Sequence, residues 1–150
     1  MSSRVLIVEP DPAILSSLLH SLSPLVDADG CHSFPSARDR LLAHPYERLI
    51  TNLRLEAHNG LHLVYLVRAS GWQTRSIVYT THPELYLAHE VQAAGAFYES
   101  LDRLPLVIQG YVERNLPSFD RRHPLRPSRR MLFRGGRRAA DLPQIPSVRT

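Results

Sequence analysis

Side chains able to do chemistry are few in this 150-residue chain and gather at a few points. Glu9, Pro10 and Asp11 follow the apolar run "RVLIV". A neutral amide, Asn52, closes the run Leu49-Ile50-Thr51. Thr80 and Thr81 end a further run, and Glu99, Ser100 and Asp102 come after the last. A carboxylate, wherever it stands, can ligate a hard divalent cation or act as a nucleophile. An amide oxygen is a far weaker nucleophile and gives no stable acyl phosphate, so Asn52 is the anomaly to explain.

Other chemistries are limited by what the chain lacks. All eighteen basic residues are arginine, which removes a Schiff base or a lysine paired to a phosphoryl group. Cys31 is the only cysteine, so an internal disulfide is impossible, a thiolate zinc site is not expected, and a small buried filler is. His58 and His62 stand four apart, but His58 precedes Gly60 in an expected loop, so the pair straddles a helix start. No metal site is expected there.

The elements that must position these residues follow from periodicity. Residues 4–8 read as a buried strand, and Asp11-Pro12 supplies an N-cap and a first-turn proline for a helix through Ile14, Leu15, Leu18, Leu19 and Leu22. A weaker strand is expected over 28–34, a helix over 36–43, a strand over 48–52 and a helix from Gly60 to about Ser70. A fourth strand covers 76–81, Pro83 opens a helix closed by Gly95, a short strand covers 96–99, and Leu104, Val107, Ile108, Tyr111 and Val112 mark a last helix. Trp72 falls in the loop before the fourth strand, as a contact residue or a cover over the core. Five βα units with near-continuous apolar strands predict an α/β fold: a doubly wound, five-stranded parallel sheet with helices on both sides. Ligands in such sheets bind beyond the carboxyl ends of the strands, where the strand order reverses.

The periodic pattern covers residues 1–116, and an Arg- and Pro-rich extension, 117–150, is expected to be disordered. Cut after Asp120, the chain is a mildly acidic part of net charge −4 and a basic tail of net charge +8. No stretch is long and apolar enough to span a membrane or serve as a signal peptide, so a cytoplasmic protein with no membrane partner is expected.

With the segments "VLIVEPDPAILSSLL", "LITNLRLEAHNGLHLV" and "IVYTTHPELYLAHEVQAAGA" in this order, residues 3–115 resemble the receiver domain of two-component response regulators. The resemblance implies a flavodoxin-like receiver fold and a pocket whose parts can be matched one by one. The acidic pair that holds Mg²⁺ matches Glu9 and Pro10, the phosphoaccepting aspartate matches Asn52, and the switch hydroxyl matches Thr80. The family's lysine has no counterpart, whether Ser100 or Asp102 takes its place; Gly60 agrees with the family loop and Glu56 stands where proline is usual. Glu9 is thus the one acid left of three, Mg²⁺ binding is expected to be weak or absent, and no other cofactor is implied. Asp11 is the substitute acid nearest the lost one, in competition with its task as helix cap.

These departures imply a degenerate pseudo-receiver with a vestigial pocket of Glu9, Pro10, Asp11, Asn52, Thr80 and Ser100. It is expected to lack enzymatic activity and to act as a protein–protein interaction module in phosphorelay signalling, its partner a signalling kinase or regulator, or a second copy. Thr80 is read either as a vestigial switch or as a strand-end hydroxyl. The resemblance places the contact face at about 83–114, where Tyr86, Glu90 and Tyr98 are the candidates and Phe97 and Tyr111 are expected to pack inside. The alternatives are an atypical phosphoacceptor using Asp11 or Glu9, and a nucleic-acid-binding protein. For the latter, Arg121, Arg122, Arg126, Arg129, Arg130, Arg134, Arg137 and Arg138 would meet a polyanion or an acidic partner.

Overall fold

A computed structural model describes residues 3–122. The expected tail beyond Arg122, with Arg126, Arg129, Arg130, Arg134, Arg137 and Arg138, lies outside the described residues.

β1 (Arg4–Val8) sends Val5 and Ile7 to one face and Leu6 and Val8 to the other, all fully buried, as the two-residue period of a strand dictates. Asp11 then caps α1 (Pro12–Leu22): its Oδ1 accepts from the amides of Ala13 and Ile14, and Pro12 sits in the first turn. β2 spans Asp27–Cys31, shorter than the expected 28–34. Its end is set by Ser33, whose hydroxyl accepts from the Ser36 amide and starts α2 (Phe34–Ala43) two residues early.

β3 (Arg48–Asn52) leads into a feature absent from the periodicity. β4 (Arg54–Leu55) and β5 (His58–Asn59) pair antiparallel around Glu56, whose φ is 58°. Strands of two residues leave no alternation to count, and the Glu56-Ala57 turn carries none of the Gly or Asn signals that mark hairpins. The hairpin returns at Gly60, where a Cβ would lie 2.3 Å from the Asn52 carbonyl oxygen, so the backbone approach itself demands glycine.

α3 (Leu61–Ala69), β6 (Arg75–Thr80), α4 (Leu85–Ala93), β7 (Phe97–Ser100) and α5 (Leu104–Glu113) follow. α4 does not open on Pro83. The Glu84 amide donates to the Tyr98 hydroxyl at 3.1 Å, with Glu84 extended at the N-cap, so the first turn begins at Leu85. Gly95, at φ 92°, ends α4 as its position suggests.

The sheet is parallel, in the order β2-β1-β3-β6-β7. Cores lie on both faces. One joins Ile7, Ile50, Ile77 and Tyr79 to α1 and α5; the other joins Leu6, Val8 and Leu49 to α2 and α3, with Val78 and α4 beside it. The compact unit reaches Asp120, whose carboxylate accepts from the Tyr98 amide at the sheet edge, so residues 117–120, read from composition as tail, belong to it. Strand order reverses between β1 and β3, which makes their carboxyl ends the place for a site.

Candidate functional site

Glu9, Asn52 and Tyr79 each stand two residues beyond a core isoleucine of the α1–α5 face, Ile7, Ile50 and Ile77. The strand period keeps all three on that face, and the register that pairs Asn52 with Tyr79 brings them together above it. Glu9 is buried, with 2% of its surface exposed. Its Oε1 accepts from Asn52 Nδ2 at 3.0 Å and from the Tyr79 hydroxyl at 2.7 Å; its Oε2 accepts from the Asp11 amide at 2.8 Å. Asn52 Oδ1 accepts from the Arg54 amide at 3.0 Å. The orientation of the Asn52 amide is therefore fixed from both ends: a carboxylate on one side can only accept and a main-chain N–H on the other can only donate.

Three donors aimed at one buried carboxylate remove the cost of taking it out of water. Burial raises the Tyr79 phenol far above its usual range, and its bond to Glu9 and the Glu9 charge push the same way. The phenol is thus held as a donor. Tyr79 is the member of this cluster that the sequence reading lacks; its signal was its place two residues after Ile77, on the same face as Glu9.

The residues expected to share one pocket divide between two. Glu9, Asn52 and the Asp11 amide meet, whereas the Asp11 carboxylate is turned away to cap α1. Pro10 sits half-buried in the bend and offers no side-chain donor or acceptor. Thr80 points to the opposite face of β6, where its hydroxyl lies 3.0 Å from the Tyr98 hydroxyl. Ser100 pairs with Thr80 in register, and its Oγ accepts from the Arg103 amide at 3.3 Å, closing the turn into α5. A second buried acid, Glu99, accepts from the Tyr111 hydroxyl at 2.5 Å and faces Arg103 at 3.7 Å.

On the expected contact face, Tyr86 and Glu90 are exposed one turn apart on α4. Tyr98 is half-buried and spends its hydroxyl on Thr80 and Glu84. Phe97 and Tyr111 meet edge to face, 5.8 Å between centroids, with Phe97 inside. His58 stacks on Phe34 at 4.7 Å and His62 meets the same ring edge-on, and Trp72 packs half-buried against the α2–α3 core. Among the described residues no helix is long and apolar enough to cross a membrane.

Solved structures share this architecture. The chain is similar to Vibrio cholerae chemotaxis protein CheY4 (TM-score 0.70, 18% identity, covering 77% of this chain and 100% of that one). It is also similar to a signal receiver domain of an HD domain-containing protein from Pseudomonas fluorescens Pf-5 (TM-score 0.65, 22% identity, 75% and 96%). A CheY-like response regulator receiver domain protein from Methanospirillum hungatei JF-1 is a third (TM-score 0.66, 18% identity, 75% and 95%). No family profile and no curated protein matches the chain. The fold is the flavodoxin-like fold of response regulator receivers.

Proposed function

We propose that this protein is a degenerate receiver that works as an interaction module in phosphorelay-type signalling and accepts no phosphoryl group itself. The observation that carries this reading is the state of Glu9: the single carboxylate among the matched metal and acceptor positions is already bonded by Asn52, Tyr79 and the Asp11 amide. Mg²⁺ would have to displace those donors while finding no second acid, because the Pro10 side chain offers no ligand, Asn52 Oδ1 serves the Arg54 amide and the Asp11 carboxylate serves α1. The residues present do not fit the ion. Nor do they supply an ionised nucleophile at the end of β3. A signalling kinase, a regulator or a second copy would instead meet the exposed surface of α4 around Tyr86 and Glu90.

Incubation of the full chain with a small phosphodonor and Mg²⁺, followed by intact-mass measurement, tests the proposal. No hydroxylamine-sensitive phosphate adduct is expected; its appearance on Glu9, Asp11 or any other acid would overturn the reading.

A further inference from the structure

The opposite end of the sheet holds a charge arrangement that the receiver-type site does not use. Arg48 and Arg75 are register partners at the amino ends of β3 and β6, so two guanidinium stems start from strands about 4.8 Å apart. Like charges so placed repel unless something negative lies between them. Among the described residues neither has a carboxylate within ion-pairing distance. Among the described residues their hydrogen-bond partners are all main-chain carbonyls: Arg48 donates to Tyr111, Glu47 and Arg114, and Arg75 to Leu116 and Gln73. Arg114, exposed just beyond α5, packs its guanidinium against Gly110. All three line one polar cavity of about 420 Å³, shared with Glu47, Glu113 and Gln73.

The carbonyl bonds hold the Arg48 and Arg75 forks in place without neutralising them. A guanidinium has five N–H donors, and the partners above take three of those of Arg48 and two of those of Arg75. Burial lowers the pKa of Arg48, and the neighbouring Arg75 charge acts in the same direction against the pull of Glu47. The site is therefore short of negative charge even with the two glutamates counted: three arginines stand against two acids.

We infer that this cavity is a binding site for a small phosphorylated molecule, its phosphate oxygens received by Arg48, Arg75 and Arg114 and its hydroxyl or amide groups by Gln73 and the two glutamates. Planar guanidinium forks suit the oxygens of a tetrahedral oxyanion, and the volume suits a compact ligand rather than a polymer. The site lies at the far end of the strands from Glu9, so ligand there would act on the fold independently of the receiver-type rim.

Titration of the full chain with pyrophosphate, and separately with inorganic phosphate, at constant ionic strength set by chloride, provides the test. Saturable binding is expected, with amide resonances of residues 113–116 and Arg75 shifting in heteronuclear NMR spectra. Arg75→Met should weaken it by about tenfold or more. Arg114→Met, whose guanidinium makes no hydrogen bond among the described residues that folding would miss, should weaken it as well. Two results would overturn the inference: no saturable response above that of chloride, or binding that both variants leave unchanged, which would place it on other arginines.

Discussion

Tyr79 does for Glu9 what a cation or an ammonium group would otherwise be asked to do, and it does so as a neutral donor. Removing its hydroxyl in Tyr79→Phe leaves Oε1 with Asn52 alone and should destabilise the fold by about 1–3 kcal/mol, read from urea denaturation at neutral pH. The same residue sets an alkaline limb. In the unfolded chain the phenol ionises near 10.0, while in the folded protein it keeps its proton well beyond that; Tyr46, buried and bonded to Asp29 at 2.6 Å, is pushed up to about 12. Above pH 10 the unfolded state thus binds fewer protons than the folded one. Stability is complete below that pH and falls as pH rises, by about 1.4 kcal/mol per unit for each tyrosine. Denaturation midpoints measured from about pH 9 to 11 should show this fall, shallower in Tyr79→Phe. Asn52→Asp should add a fall of the same sign around neutrality. It sets a carboxylate beside Glu9 at the 3.0 Å now spanned by a hydrogen bond, so one of the two must hold a proton. The variant should be less stable than the parent near pH 8 and recover toward pH 5, which thermal denaturation at about those two values would show. That β3 ends on an amide, Asn52, and not on an acid was legible from residue types alone. The part of Tyr79 was not, because a tyrosine in an apolar strand reads as core until the register of β3 with β6 is known.

At the scale of elements, the βα units could be read because each carries a long apolar run or a 3.6-residue repeat. The β4–β5 hairpin could not, being two pairs of residues turned by an unmarked dipeptide. Glu56 holds its positive φ at a cost of about 1 kcal/mol that glycine would not incur. Glu56→Gly should therefore raise the unfolding free energy by roughly that amount in chemical denaturation. Glu56→Pro, the residue common at this place in receivers, cannot adopt φ 58° and should destabilise by about 3 kcal/mol or more. The early start of α2 and the late start of α4 have one cause: a specific bond, at Ser33 or Glu84, fixes a helix end more firmly than a nearby proline does.

For the whole molecule, the charge division seen in the sequence has a simple consequence for polyanions. Residues 1–120 carry net −4 and residues 121–150 carry net +8. Deleting 121–150 should abolish retention of the protein on a heparin or nucleic-acid matrix, and retention of the full chain should fall steeply with salt. Undiminished binding by the shortened chain would assign it to the folded unit instead. The Tyr98 hydroxyl, which ties Thr80 to the N-cap amide of α4 at Glu84, bears on the proposed signalling role at this scale too. On the proposed reading, in which no phosphoryl group arrives to pull that clasp open or shut, every copy would show a partner the same face. A cell would then change the message only by changing how many copies exist, where they are kept, or how soon they are destroyed.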